Sequence, residues 1–107
     1  MIPRKTRLAL IDRADLMGIS DTTLRCFMRY LRTTELHRWN TCGQVADTLG
    51  VTHHQARPVV AELVQAGLLE RTINPRHLRG AAQRLTAYRV APVAIEQRPA
   101  ERAGGER

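Results

Sequence analysis

Aromatic residues are scarce in this chain: one Trp, one Phe and two Tyr among 107 residues, 4% in all. A core must therefore be filled by Leu, Val, Ile, Ala and Met, which argues against an aromatic-rich β-sandwich and for a small helical domain. Lysine is nearly absent as well, Lys5 being the single one among 17 basic residues. Cysteine is limited to Cys26 and Cys42, too few for a disulfide framework. Reduced thiols and a cytoplasmic location are expected. Long hydrophobic runs are missing too. Leu8–Ile11 is short and is broken off by Asp12, Arg13 and Asp15, so no signal peptide is read. Nothing approaches the length needed to cross a bilayer, and no membrane partner is expected.

Acid is also short, with 10 Asp and Glu against 17 basic residues and a net charge of +7. Such a field favours polyanionic partners, nucleic acid first and acidic membrane surface second. Abundant arginine can also reflect a GC-rich genome, so the positions of the arginines matter more than their number. The length suits one domain with one core.

Residues 6–17 read as an amphipathic helix with Leu8, Ile11 and Asp15 at helical spacing. Gly18 supplies the left-handed end, and Ile19 closes back on the last turn. A second helix is predicted from Asp21 as N-cap. Its apolar stripe is Leu24, Phe27, Met28 and Leu31, while Arg25, Arg29 and Arg32 keep the same spacing on a solvated face. A short extended piece is expected at His37–Asn40. Thr41 and Gln44 then form a capping box before Val45, Ala46 and Leu49, and Gly50 ends that helix. Thr52 and Gln55 repeat the box two residues later. The next helix presents Ala56, Val59, Val60, Leu63 and Ala66 on one side and closes at Gly67.

Beyond Gly67 the period changes. Leu68–Ile73 predicts a strand, Asn74-Pro75 a turn, and Arg84–Val90 a returning strand. Residues 96–107 carry Pro, Gly and charge with little apolar content, the composition of a disordered tail. The expected organisation is an N-terminal helical extension (1–20), a domain (21–95) and a tail (96–107). The fold class is mainly α with a small β-hairpin.

Two short helices joined by a Gly-containing turn make a helix-turn-helix. The run from Gln44 through Val45, Ala46, Leu49, Gly50, Val51 and Thr52, with Ala66-Gly67-Leu68-Leu69 ahead of a hairpin, resembles the winged helix-turn-helix superfamily of bacterial transcription regulators, MarR-like and related groups. The resemblance covers residues 21–90 and implies a recognition helix over 52–66 and a basic wing over 71–89. It implies no particular subfamily.

On a helix starting at Thr52, His54, Arg57, Pro58, Ala61 and Gln65 lie opposite the apolar side, with His53 flanking. Arg57 at this position suits bidentate pairing with guanine. Thr52, His53, His54 and Gln55 suit base or phosphate contacts at the helix start, where free N–H groups also favour an anion. Arg76, His77, Arg79 and Arg84 are the candidate wing contacts, in a stretch from Arg71 to Arg89 that holds five arginines and no acid. Insertion along the minor groove or backbone is the expected use. Pro58 departs from the family pattern, because it removes a helical hydrogen bond in the second turn.

No catalytic constellation, phosphate-binding Gly-rich loop or activated serine is present in the sequence, so the chain is read as a non-enzyme without a cofactor. Cys26, Cys42, His37, His53, His54 and His77 lack metal-ligand spacing, so no metal site is read. Cys26 belongs beside the core. Cys42 sits in a first helical turn, where the dipole can lower a thiol pKa, but no redox role is read from it.

The function read from these features is sequence-specific binding of double-stranded DNA, as a transcriptional regulator acting as a homodimer on a two-fold operator. A repressor is one form of this. Residues 6–17, with 91–95, are the candidate dimer contact. A plasmid or phage DNA-binding protein for partition or replication fits the same features. A winged-helix protein–protein adaptor is the alternative of a different class, though it would not need so basic a wing. RNA binding is disfavoured by the few aromatics available for base stacking.

Overall fold

Thr41 and Thr52 each start a helix by the same exchange. The Thr41 hydroxyl accepts from the Gln44 N–H at 3.1 Å while the Thr41 N–H donates to Gln44 Oε1 at 2.8 Å. Thr52 and Gln55 repeat this at 3.1 and 3.0 Å. Between the two helices Gly50 adopts φ +70°, a left-handed conformation that costs Gly nothing. The Val51 N–H then returns to the Ala46 carbonyl at 3.1 Å. Three residues thus separate one helix from the next.

The computed structural model describes residues 1–73 and 86–96. Its elements, in order, are α1 (Arg4–Leu16), α2 (Asp21–Thr33), β1 (Asn40–Thr41), α3 (Cys42–Leu49), α4 (His53–Gln65), β2 (Leu69–Ile73), β3 (Thr86–Val90) and α5 (Pro92–Glu96). The fold is mainly helical with a small antiparallel sheet. That sheet has three strands rather than the two of a hairpin, in the order β1-β3-β2. Asn40 pairs with Tyr88, and Arg71 with Tyr88 from the other side.

The third strand depends on tertiary hydrogen bonds. His37 turns at φ +69°, so the extended piece expected at His37–Asn40 shrinks to Asn40–Thr41. The Asn40 amide donates to the Tyr30 hydroxyl at 2.9 Å and to Thr34 Oγ1 at 3.1 Å. This ties β1 to the end of α2 and lays it beside β3. The expected strands at 68–73 and 84–90 are described as Leu69–Ile73 and Thr86–Val90. The tail expected at 96–107 lies outside the described residues except for Glu96, the last residue of α5.

One core joins all the helices. Phe27, Leu31, Leu63, Leu68 and Val90 are essentially inaccessible, and so are Ile2 and Leu10. The apolar side of α1 is therefore not Leu8 and Ile11. Leu10 and Ala14 face inward, Ile11 is half-buried and Leu8 is exposed. α1 packs on α2, and α5 packs on α1. On α2 the buried positions are Thr23, Phe27, Tyr30 and Leu31, with Leu24 and Met28 only half-buried.

Ser20, not Asp21, caps α2: its hydroxyl accepts from the Thr23 N–H at 3.2 Å. The reason is a long-range clasp. Glu62 on α4 accepts from the Ser20 N–H at 2.8 Å, from the Ser20 hydroxyl at 3.1 Å and from the Thr23 hydroxyl. The Thr23 hydrogen bond, then that of the Ser20 N–H, holds the Glu62 carboxyl below its ordinary pKa. A carboxyl with a lowered folded pKa stabilises the fold above its unfolded value, and that contribution is lost as pH falls through the folded one. The clasp should be complete above the ordinary glutamate range of about 4.3 and fade as pH falls below it. Glu62→Gln is expected to lower the urea midpoint at pH 7 and to narrow its gap from the unmodified protein by pH 3. A constant gap across that range would assign Glu62 no part in acid sensitivity.

Candidate nucleic-acid interface

Helix α4 buries Ala56, Val59, Val60 and Leu63, and that choice fixes which side chains remain outside. His53, His54, Gln55, Arg57, Pro58, Ala61 and Gln65 are all exposed, as the sequence pattern predicts. The one acid on α4, Glu62, is held against Ser20 and Thr23 of the neighbouring helix. Pro58 is accommodated inside the helix, which continues unbroken from His53 to Gln65.

The capping box changes what Thr52 and Gln55 can offer. Thr52 Oγ1 and Gln55 Oε1 are both engaged as acceptors within it. The groups not used by the box are the Thr52 hydroxyl proton and the Gln55 amide N–H₂, both donors. An anion at this helix start would meet them together with the N–H groups of His53 and His54.

Alongside α4 runs an open cleft of about 1040 Å³. Its helical wall carries His53, Arg57, Ala61 and Gln65, and its opposite wall is Arg71, Thr86 and Tyr88 of the sheet. Cys42 and Gly43, at the start of α3, close one end. No acidic side chain lines the cleft among the described residues. Arg71 and Arg57 both act on the Tyr88 phenol, favouring its ionised form, although burial and the neighbouring Cys42 outweigh them and raise its pKa. The two guanidinium groups therefore share one electrostatic neighbourhood.

Cys42 lies within the same field but does not behave as its helix position suggests. Burial pushes its thiol pKa up, and the nearby Arg57 offsets this only in part. The lowering that a helix start can give is thus overturned by desolvation.

Sequence reasoning passed over Arg71 and Tyr88 as site residues. Arg71 was visible only as one of a run; the Arg71–Tyr88 register sets it opposite α4. Arg89, counted in the same run, is not available. Its guanidinium pairs with Glu70, the directly opposite residue, and stacks 4.4 Å over the Trp39 ring. Glu70 stands one residue before the acid-free stretch, so a count along the sequence misses the pairing across it. Arg76, His77, Arg79 and Arg84 lie outside the described residues. Arg25, Arg29 and Arg32 are exposed along α2.

No helix among the described residues is long and apolar enough to cross a membrane. No family model matches the chain, and no curated protein or solved structure is detectably similar to it.

Proposed function

We propose that this chain is a winged helix-turn-helix protein that binds double-stranded DNA sequence-specifically, as a regulator of transcription. α4 is the recognition helix, and β2 and β3 belong to the wing expected over 71–89. The observation that carries the reading is the cleft: one exposed face of α4, bearing His53 and Arg57, stands across from Arg71 with no acid among the lining residues described. A helix presented this way fits the major groove. The cleft beside it would take the adjoining sugar–phosphate strand, with Arg71 on a phosphate and Arg57 toward a base edge.

Selection of duplex sites from a random pool tests the reading, with single-stranded RNA as competitor. A single enriched duplex motif is expected, and preferential retention of RNA, or no retention, would overturn it. At the selected site Arg57→Ala should weaken binding by about 1–3 kcal/mol and relax discrimination at one or two base pairs. Arg71→Ala should weaken selected and random duplexes alike, since a phosphate contact carries no sequence information. Unchanged specificity in Arg57→Ala would remove α4 as the reader.

A further inference from the structure

The ridge of α4 that stands farthest from the core is polar at both ends and purely carbon in the middle. His54, Pro58, Ala61 and Gln65 are all exposed, and at 3.6 residues per turn they fall within an arc of roughly 60°. That arc lies opposite the mean direction of the buried Ala56, Val59, Val60 and Leu63. Arg57 sits about 70° round the helix from the middle of this ridge, toward the cleft that it lines. Between His54 and Gln65 the ridge therefore offers no hydrogen-bonding side chain. Pro58 presents a rigid ring of methylene groups, and Ala61 a single methyl. The helix runs unbroken through Pro58, so this small carbon surface is held on a continuous element.

We infer that Pro58 and Ala61 read the C5-methyl group of a pyrimidine, thymine or 5-methylcytosine, beside the base pair taken by Arg57. The inference rests on the proposed reading of α4 as the recognition helix. The ridge farthest from the core enters a groove deepest, and its small side chains let the helix approach the base edges closely. Purine N7, guanine O6 and thymine O4 accept hydrogen bonds there, and the adenine and cytosine amino groups donate. Carbon laid over any of these leaves it without a partner, which weakens binding. The C5-methyl is the apolar feature of the major-groove edge. Covering it gains what burial of one such group is worth, about fourfold in affinity. By this division Arg57 selects a guanine, and the carbon ridge selects its neighbour.

Base analogues in the duplex site selected from a random pool test the inference. A thymine is expected beside the pair at which Arg57→Ala relaxes discrimination. Replacing it by uracil, which lacks only the methyl, should weaken binding about fourfold. Changing that T·A pair to C·G should weaken binding too, and methylating the cytosine at C5 should restore about fourfold. Pro58→Ser combined with Ala61→Ser puts hydroxyls on the ridge, and the ratio of thymine to uracil affinity should then fall close to unity. Because the ratio is taken within each protein, any general loss of affinity or stability cancels. A motif with no thymine at that place, a uracil that binds as well, or a ratio unchanged in the serine variant would overturn the inference. Each of these leaves duplex binding by α4 standing. Failure to enrich any duplex would remove the DNA-binding reading itself, and this inference with it.

Discussion

Raising monovalent salt from 50 to 200 mM is expected to weaken duplex DNA binding by about 250-fold, a log–log slope near −4. Each phosphate neutralised by a fixed cation releases close to one condensed counterion, and that entropy is lost as bulk salt rises. The cationic groups that can do this here are identifiable. Arg57 and Arg71 border an acid-free cleft, while Arg89 is held by Glu70 and Trp39 and should contribute little. On the proposed reading, a two-fold site would be met by four such guanidinium groups from two protomers. Arg71→Ala should make the slope shallower by one to two, and Arg89→Ala should leave it nearly unchanged. Fluorescence anisotropy across a salt series measures both. A slope near zero for the unmodified protein would remove duplex DNA as its main partner.

Leu10→Ala is expected to destabilise the protein by about 2–5 kcal/mol, whereas Leu8→Ala should change stability by less than about 0.5 kcal/mol. The two leucines are two residues apart on one helix, yet Leu10 is 1% exposed within the shared core and Leu8 is half in water. Truncating Leu10 forfeits its transfer energy and leaves a cavity among residues of α1 and the core. For a domain of this size that is a large share of total stability. Urea denaturation of both variants at equal protein concentration decides the matter. Similar losses for both would mean that α1 packs through a different face.

The helical part of the fold was legible because its signals are local. Thr41 with Gln44 and Thr52 with Gln55 are caps that close within one turn. The stripe of α4 keeps a fixed angular period, so the exposed set from His53 to Gln65 could be read without coordinates. α1 was harder. It is short, with apolar residues on more than one side, and period alone could not say which side the rest of the protein would cover. Asp21 and Ser20 are equally good caps by residue type, and Ser20 takes the place because Glu62, forty-two residues away, fixes its backbone and hydroxyl. The third strand was missed because a two-residue strand has no periodicity, and both its pairing with β3 and the Asn40 bonds to Tyr30 and Thr34 are tertiary contacts.

By itself the sequence determined where α3 and α4 begin, which face of α4 stays in water, and that the chain carries a strong positive charge. Capping, periodicity and net charge are properties of neighbours along the chain, and no fold is needed to evaluate them. Tertiary structure alone decided which cations remain available and which are consumed. Arg71 and Arg89 look alike in the sequence; antiparallel register sets one across from α4 and the other against Glu70. It also decided the state of Cys42, where burial outweighs the nearby Arg57. Electrostatic pairing and desolvation depend on distances through space, and those are fixed only when the strands and helices have packed.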